Sequence, residues 1–519
     1  MKAVPRQVFL IGIGLLLLAS AFAREKWIYA RTEHFEMLSC ASEWESSKIL
    51  SKLEQFRATV LAIYPLPRFH DPKATIVLFA TDRQFEPYKP LYHGKPAEAA
   101  GYCIGGSDET VIAMSADYDS EQTDEIIFHE YVHLLLAVGG EHPPPWLNEG
   151  LAELFSTFAI ERGSFKLGLE KPAHTEFLRR RQLMPLGRLF AVTQNSPEYH
   201  EGHRRDIFYA ESWALLHFLV CGQDRATTLP ELQRFTELIA TPGRAIDQSF
   251  QESFGMGYEE MERELKRYLE DGRYYYRRDK LIMGDLSARI KFRPASELER
   301  EVELINLRSR LQEPGNAAYL LLQLAKSHPE APRPHEVMAA VAMREGDPEG
   351  ALMHWRRAAE LGSDNAYVYV RLAAERLDQI TSGLTLDYRL PGEAATILRG
   401  WLDRAVALSP RYLEAYEGLA LVEALAKQPR AEIVKRVLEV MPRMRDKSRA
   451  LLALAIVSWR AGNFATASQI ARSLIDDPRL SPHLHFLARR LAEPPQPKEQ
   501  EPPEELPPLL SPDDAGLSP

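Results

Sequence analysis

Residues 124–138 read DEIIFHEYVHLLLAV, and two of them, His129 and His133, are histidines four positions apart. Positions i and i+4 lie on the same face of an α-helix, so a helix here presents both imidazoles to one point. Thr123 can cap the start of this helix, and the glycine pair at 139–140 can end it. The stretch therefore predicts a helix, with two interpretations open: a metal site, or a buried helix that contains two satisfied histidines.

The residue that follows the first histidine supplies a third chemical group. Glu130 completes an H-E-x-x-H motif, in which the histidines bind zinc and the glutamate takes a proton from the attacking water. A further ligand is offered by PPPWLNEGLAELF at 143–155, where Glu149 stands sixteen positions after His133. Two imidazoles and one carboxylate form a catalytic zinc site that leaves a position for water. This pattern favours a Zn²⁺ site over a buried helix.

The third ligand distinguishes between classes of zinc enzyme. A class that uses a third histidine would need it at position 139, and this residue is Gly139. That class is excluded, and the sequence predicts His129, His133 and Glu149 as zinc ligands with Glu130 as general base. No phosphate-binding loop and no serine or cysteine nucleophile signature competes with this prediction.

The two motifs together resemble the gluzincin metallopeptidases, and more closely the bacterial peptidase-MA-like branch than the aminopeptidase branch. HFEMLSCAS, ATIVLFATDRQFEPY, AGYCIGG and YAESWALLHFL are similar to further landmarks of that family, over about 27–273. The resemblance implies the same three zinc ligands and the same general base. Fifteen residues separate His133 from Glu149, fewer than in the aminopeptidase branch, so the connection between the two helices must be tighter.

The resemblance also implies two supporting residues. Glu153, four positions after Glu149, would hydrogen-bond a zinc-ligand histidine and fix its tautomer, and the alternative is a solvated surface glutamate. Tyr209 would stabilise the negative charge that develops on the carbonyl oxygen, and the alternative is an aromatic side chain packed in a core helix. His200 and His203, in the polar segment EYHEGHRRD, are rival donors for that charge.

Hydrophobic patterning predicts the fold class: an α+β gluzincin-like domain, with a mixed sheet followed by helices that carry the zinc site, and then an all-α tetratricopeptide-type repeat domain. The repeat prediction rests on helix pairs with a period near 34, and a generic helical bundle is the alternative. The predicted divisions are a signal peptide, the peptidase domain, a helical linker, the repeats and a disordered Pro/Glu-rich tail, at 1–23, 24–275, 276–313, 314–492 and 493–519.

Charge and the N-terminal segment bear on location and partners. Lys2 and Arg6 precede an apolar run that ends in an Ala-Phe-Ala cleavage pattern at 21–23, which predicts export to the periplasm or outside the cell. An uncleaved anchor is the alternative, but the run is too short for a stable span. The chain carries 63 basic and 73 acidic residues, so nucleic acid is excluded as a partner.

These observations leave two hypotheses for the function. The first is an exported zinc peptidase whose substrate is a peptide or protein, with the repeats binding that substrate or a partner protein. By family analogy, the strand at 110–115 would pair with an extended peptide. The second is an exported repeat scaffold whose zinc site is vestigial or structural.

Overall fold

The structure is a computed structural model. It describes residues 26–65, 74–92, 94–97, 99–106, 109–117, 120–138, 143–179, 181–200, 202–222, 228–239, 244–284, 286–311, 316–382, 384–444, 447–475, 477 and 480–493. The predicted signal peptide at 1–23, and the predicted tail after Glu493, lie outside these residues.

Strands occupy the first half of the chain. They are β1 (Ile28–Arg31), β2 (Phe35–Ser39), β3 (Ala74–Phe79), β4 (Leu91–Tyr92), β5 (Lys95–Pro96), β6 (Gly101–Gly105), β7 (Thr110–Ser115), β8 (Ala159–Glu161), β9 (Ser164–Leu167), β10 (Arg277–Lys280) and β11 (Phe292–Pro294). Six of them form one mixed sheet in the order β11-β1-β2-β3-β7-β6. Strands β2, β3 and β7 are parallel, and β6 and β11 lie at the two edges as antiparallel strands.

The position of β7 corrects one expectation. All six residues of β7 are buried, and the strand lies between β3 and β6, so the predicted pairing of 110–115 with a peptide is wrong. Ile112 and Met114 pack on one face of the sheet, and Val111 and Ala113 pack on the other. A strand that is apolar on both faces belongs to the interior of a sheet. The edge strand on this side is β6.

Helices surround the sheet and then continue alone. Those of the first half are α1 (Glu43–Ile63), α2 (Asp82–Phe85), α3 (Ser120–Val138), α4 (Pro145–Ser156), α5 (Pro172–Arg179), α6 (Leu186–Ala191), α7 (Pro197–His200), α8 (Gly202–Cys221), α9 (Thr228–Ile239), α10 (Ile246–Phe254) and α11 (Tyr258–Asp271). Those of the second half are α12 (Glu297–Leu311), α13 (Ala317–Ser327), α14 (Arg333–Arg344), α15 (Pro348–Glu360), α16 (Ala366–Thr381), α17 (Gly392–Leu408), α18 (Leu413–Leu425), α19 (Ala431–Val440), α20 (Ser448–Arg460), α21 (Phe464–Arg472) and α22 (Pro482–Ala492). The described chain is thus an α+β unit followed by helices.

The helices of the second half form consecutive pairs. The first helices of four pairs begin at Arg333, Ala366, Leu413 and Ser448, so the spacing is 33, 47 and 35 residues. The long spacing comes from the connection between α16, which ends at Thr381, and α17, which begins at Gly392. Small alanines at 339, 351 and 358 are fully buried and let neighbouring helices approach closely.

The segment predicted as a helical linker, 276–313, differs from that prediction. It contains β10 and β11 before helix α12. Strand β11 pairs with β1 and completes the six-stranded sheet, and β10 pairs with β9. The chain therefore returns to the α+β unit twice before the helical half begins. None of the described helices combines the length and the apolar character needed to cross a bilayer.

A buried ion network joins the sheet to the helical half. Glu109, just before β7, accepts a 2.7 Å hydrogen bond from Arg333 of α14 and a 3.0 Å hydrogen bond from Asn306 of α12. Arg333 also reaches Glu303 at 2.8 Å and Glu336 at 3.2 Å. Burial alone would raise the pKa of Glu109, but the guanidinium of Arg333 lowers it to about 2. These contacts therefore attach helices α12 and α14 to the start of strand β7.

Candidate metal centre

Helix α3 places the two histidines beside the edge strand. Its apolar side packs on the sheet, with Ile127 and Phe128 fully buried. The helix lies very close to β6, because an added Cβ at Gly105 would come within 2.2 Å of the Leu134 side chain. The polar side of α3 carries His129, Glu130 and His133, which are all half-buried. The apolar flanks thus hold the polar face in a fixed orientation.

Helix α4 brings Glu149 to the same place. The helix has Pro145 in its first turn, where a missing N–H costs nothing. Glu149 is 1% exposed, and the next residue, Gly150, faces helix α8. An added Cβ at Gly150 would lie 2.7 Å from the carbonyl oxygen of Ser212 and 2.8 Å from Cδ2 of Leu216. The glycine therefore permits the close helix crossing that positions the carboxylate.

Gly150→Ala is expected to lower the free energy of unfolding by about 1–3 kcal/mol, because the new methyl group overpacks the α4–α8 contact. Urea denaturation measures this change. The matched control is Gly400→Ala in helix α17, where nothing lies within 4 Å of an added Cβ. That substitution should raise the free energy of unfolding by about 0.5–1 kcal/mol, as glycine removal from a helix does. Equal changes in the free energy of unfolding for the two variants would contradict the close contact between α4 and α8 at Gly150.

Three ligand atoms converge in the structure. Nε2 of His129 lies 3.1 Å from Nε2 of His133. Oε2 of Glu149 lies 3.5 Å from the first nitrogen and 3.4 Å from the second. Among the described residues, this is the only group of three or more histidine, cysteine or acidic side chains close enough to share one ion. The predicted ligands are therefore brought together.

The triangle of atoms fits a tetrahedral zinc ion. Zinc binds histidine nitrogen and carboxylate oxygen at about 2.0–2.1 Å, which places neighbouring tetrahedral ligands about 3.3 Å apart. The three distances of 3.1, 3.4 and 3.5 Å bracket that value. Oε2 of Glu149 is also buried and accepts no hydrogen bond from the described part of the chain. A buried carboxylate oxygen without a donor is satisfied when a cation binds it.

The pKa shifts of Glu149 and His133 agree with their close contact. Burial alone would raise the pKa of Glu149, but the contacts with His129 and His133 lower it to about 2. Burial alone would lower the pKa of His133, but its contact with Glu149 raises it. The carboxylate is thus ionised, as a metal ligand must be.

Glu130, the predicted general base, stands next to the ligand atoms on α3. Its charge is one of the groups that raise the pKa of His133. Together with burial, which is the larger cause, it also raises the pKa of the Cys103 thiol on β6. The Glu130 charge is therefore close enough to affect both His133 and the thiol on the edge strand. No disulfide joins Cys103 to Cys40 or Cys221, all of which the structure describes.

Glu153 lies behind His129 in a cluster of charges. Its Oε1 is 3.7 Å from Nδ1 of His129, and its Oε2 contacts Nζ of Lys171 and, at 3.3 Å, Nε2 of His174. Burial would raise the pKa of Glu153, but the hydrogen bond from His174 and the charge of Lys171 lower it to about 2. Lys171 also pairs with Glu125 at 2.5 Å. The solvated-glutamate interpretation does not hold, since Glu153 is 7% exposed.

Two tyrosines line the other side of the cluster. The ring of Tyr209 is nearly parallel to the His129 ring, at 6.4 Å between centroids. Tyr199 of α7, which the sequence analysis did not single out, donates a hydrogen bond of 2.8 Å from its hydroxyl to Oε1 of Glu149. Burial and the Glu149 charge raise the pKa of Tyr199, so its hydroxyl stays protonated. The side chains of His200 and His203 lie outside the described part of the structure.

Three residues near the site, Tyr199, Lys171 and His174, were not predicted from the sequence. Tyr199 precedes His200 in the segment EYHEGHRRD, so its place in a segment with candidate site residues could have suggested it. Lys171 and His174 follow strand β9 with no motif around them. Only the packing of α5 against α8 brings them to Glu153.

No protein-family model, no curated protein and no solved structure matches this chain.

Proposed function

We propose that the chain is a zinc-dependent peptidase of the gluzincin type, similar to the peptidase-MA-like branch, and that its helical half is a tetratricopeptide-type array. The observation that carries the proposal is the triangle of His129 Nε2, His133 Nε2 and Glu149 Oε2, with sides of 3.1, 3.4 and 3.5 Å. A His₂Glu set with an adjacent glutamate on the same helix is the arrangement of catalytic rather than structural zinc sites.

Each residue has a separate task in this proposal. A zinc ion held by the three ligands would make a water molecule acidic near neutral pH and polarise the scissile carbonyl. Glu130 accepts the proton of the attacking water and passes it to the leaving amine. The Tyr209 hydroxyl donates a hydrogen bond to the oxygen on which negative charge develops. Glu153 orients His129, because its carboxylate attracts Nδ1 of that ring and is itself held in place by the imidazole of His174.

Strand β6 offers a place for the substrate backbone. It is the edge of the six-stranded sheet, and helix α3 lies against it. The Cys103 thiol on β6 donates a weak 3.9 Å hydrogen bond to the Ile127 carbonyl, two residues before His129. An extended peptide that adds to the outer edge of β6 by main-chain hydrogen bonds would run beside the ligand cluster. This orientation supports peptide-bond hydrolysis rather than chemistry on a small molecule.

The helical half would bind a protein or a segment of the substrate. Helix pairs that follow one another at spacings of 33, 47 and 35 residues would build a curved surface that suits extended partners. The Glu109–Arg333 network attaches this array to the sheet, so a bound partner would be held near the peptidase half. Export remains a prediction from the N-terminal segment.

Zinc analysis tests the proposal. The purified chain is expected to contain about one zinc ion, as a single His₂Glu site requires. Chelation should abolish hydrolysis of a peptide library, and added zinc should restore it. Glu149→Ala should remove both the metal and the activity. Stoichiometric zinc without cleavage of any library peptide would favour the scaffold hypothesis, and absence of zinc from the intact chain would overturn the metal site.

A further inference from the structure

The two oxygens of Glu149 have different partners. Oε2 faces the imidazoles of His129 and His133, and accepts no hydrogen bond from the described residues. Oε1 accepts the hydroxyl proton of Tyr199 at 2.8 Å. A carboxylate has about four acceptor sites and can bind a metal through one oxygen or through both. The tyrosine hydroxyl uses one acceptor site of Oε1, whereas Oε2 faces both imidazoles, so the geometry favours binding of an ion through Oε2.

The position of Tyr199 is itself fixed by packing. Helix α7 is only four residues long and would not be stable alone. The Tyr199 ring contacts Phe208 edge-on at 6.0 Å and Tyr209 at 6.4 Å, both on helix α8. Phe208 is fully buried, so it anchors the short helix to the core. The hydroxyl is therefore held at the Glu149 carboxylate by the same helix that carries Tyr209.

We propose that Tyr199 is a positioning residue for the metal ligand Glu149: its hydroxyl binds Oε1 and presents Oε2 to the metal as a single-oxygen ligand. This inference rests on the proposed zinc site. It divides the two tyrosines by role, because Tyr199 acts through the ligand, whereas Tyr209 acts on the reacting carbonyl. Groups that orient a metal ligand change metal affinity by about tenfold to a hundredfold.

The number of Glu149 oxygens that bind the ion affects its coordination number. If Glu149 binds through one oxygen, the three protein ligands leave room for water and for the substrate carbonyl. Without the Tyr199 hydroxyl, the carboxylate is free to rotate and to use both oxygens. Loss of the hydroxyl should thus change the affinity for the ion and also the geometry around it.

Tyr199→Phe tests the proposal, since phenylalanine keeps the ring packing and removes only the hydroxyl. Zinc affinity is measured by competition with a chelator of known affinity, and is expected to fall by about tenfold to a hundredfold. The absorption spectrum of the cobalt-substituted protein should also change, because its visible bands depend on coordination number. Neither measurement requires turnover.

Two matched controls accompany this variant. Tyr268→Phe removes a 2.7 Å hydrogen bond between a half-buried tyrosine hydroxyl and His217, so it shows the effect of losing such a bond away from the ligands. Tyr209→Phe should lower turnover and change zinc affinity by less than Tyr199→Phe does, because the Tyr209 side chain hydrogen-bonds Tyr199, which itself contacts Glu149. Unchanged zinc affinity and cobalt spectrum in Tyr199→Phe would overturn this inference alone. A wild-type chain that binds no zinc would overturn the proposed function instead.

Discussion

Glu130→Gln is expected to lower peptide hydrolysis by about a hundredfold to ten-thousandfold while the chain keeps its zinc. Glutamine has the shape of glutamate but cannot accept the proton of the attacking water at neutral pH. The ligand atoms belong to His129, His133 and Glu149, and Glu130 is not one of this group. Metal content and catalysis should therefore separate in this variant.

The measurement pairs zinc analysis with initial rates on the best substrate from a peptide library. Glu176→Gln serves as the control, because it removes an exposed carboxylate from helix α5 and should leave both quantities unchanged. If Glu130→Gln retains wild-type rates, Glu130 is not the general base. If it loses zinc together with activity, the residue acts on the metal site rather than on the proton.

Arg333→Met is expected to lower the free energy of unfolding by about 3 kcal/mol at pH 7, because it leaves buried carboxylates without their main cation. Arg333 contacts Glu109, Glu303 and Glu336 at 2.7, 2.8 and 3.2 Å. Arg310 still faces Glu109 at 3.4 Å, which keeps the loss at the lower end for a broken buried pair. The urea denaturation midpoint, followed by tryptophan fluorescence, measures the change.

The effect should depend on pH in a defined direction. Arg333 holds the pKa of Glu109 at about 2, below the ordinary carboxyl value of 4.5, although burial opposes it. A lowered carboxyl pKa stabilises the fold above about pH 4.5, and that stabilisation is lost as the pH falls toward 2. The difference between the wild type and Arg333→Met should thus be largest at neutral pH and shrink in acid.

An exposed arginine on the next helix provides the comparison. Arg357 pairs with Glu360 at 3.1 Å, and both side chains are about half exposed, at 45% and 54%. Arg357→Met should change the free energy of unfolding by less than about 1 kcal/mol, since surface ion pairs contribute little. An Arg333→Met effect no larger than this would show that the network does not hold the two halves together.

Sequence patterns predicted the groups that one helix can bring together. His129 and His133 share a helical face because 3.6 residues make one turn, and Glu153 follows Glu149 on its face for the same reason. Hydrophobic patterning predicted a mixed sheet before the helices, and the six-stranded sheet with parallel and antiparallel neighbours confirms it. The pattern did not predict that β6 rather than β7 is the edge strand, because a run of apolar residues does not show which strands lie beside it.

The supporting residues were harder to predict for a related reason. Tyr199 is fifty positions from Glu149, and Lys171 is eighteen positions from Glu153. A hydrogen bond over such separations depends on helix packing, and no local spacing encodes it. The fold class shows the same division: strands followed by helices were predicted, but not the return of β10 and β11 to the first half.

By itself the sequence determined that His129, Glu130 and His133 lie close together on one helix, which is what predicts two zinc ligands and a general base. Only the tertiary structure decided that Glu149 completes a triangle of tetrahedral size with them, since that depends on the α4–α8 crossing at Gly150. It also decided that Tyr199 donates a hydrogen bond to Oε1 of Glu149 and that β6 forms the edge of the sheet. Local periodicity follows from the backbone, whereas convergence of distant side chains follows from how the core packs.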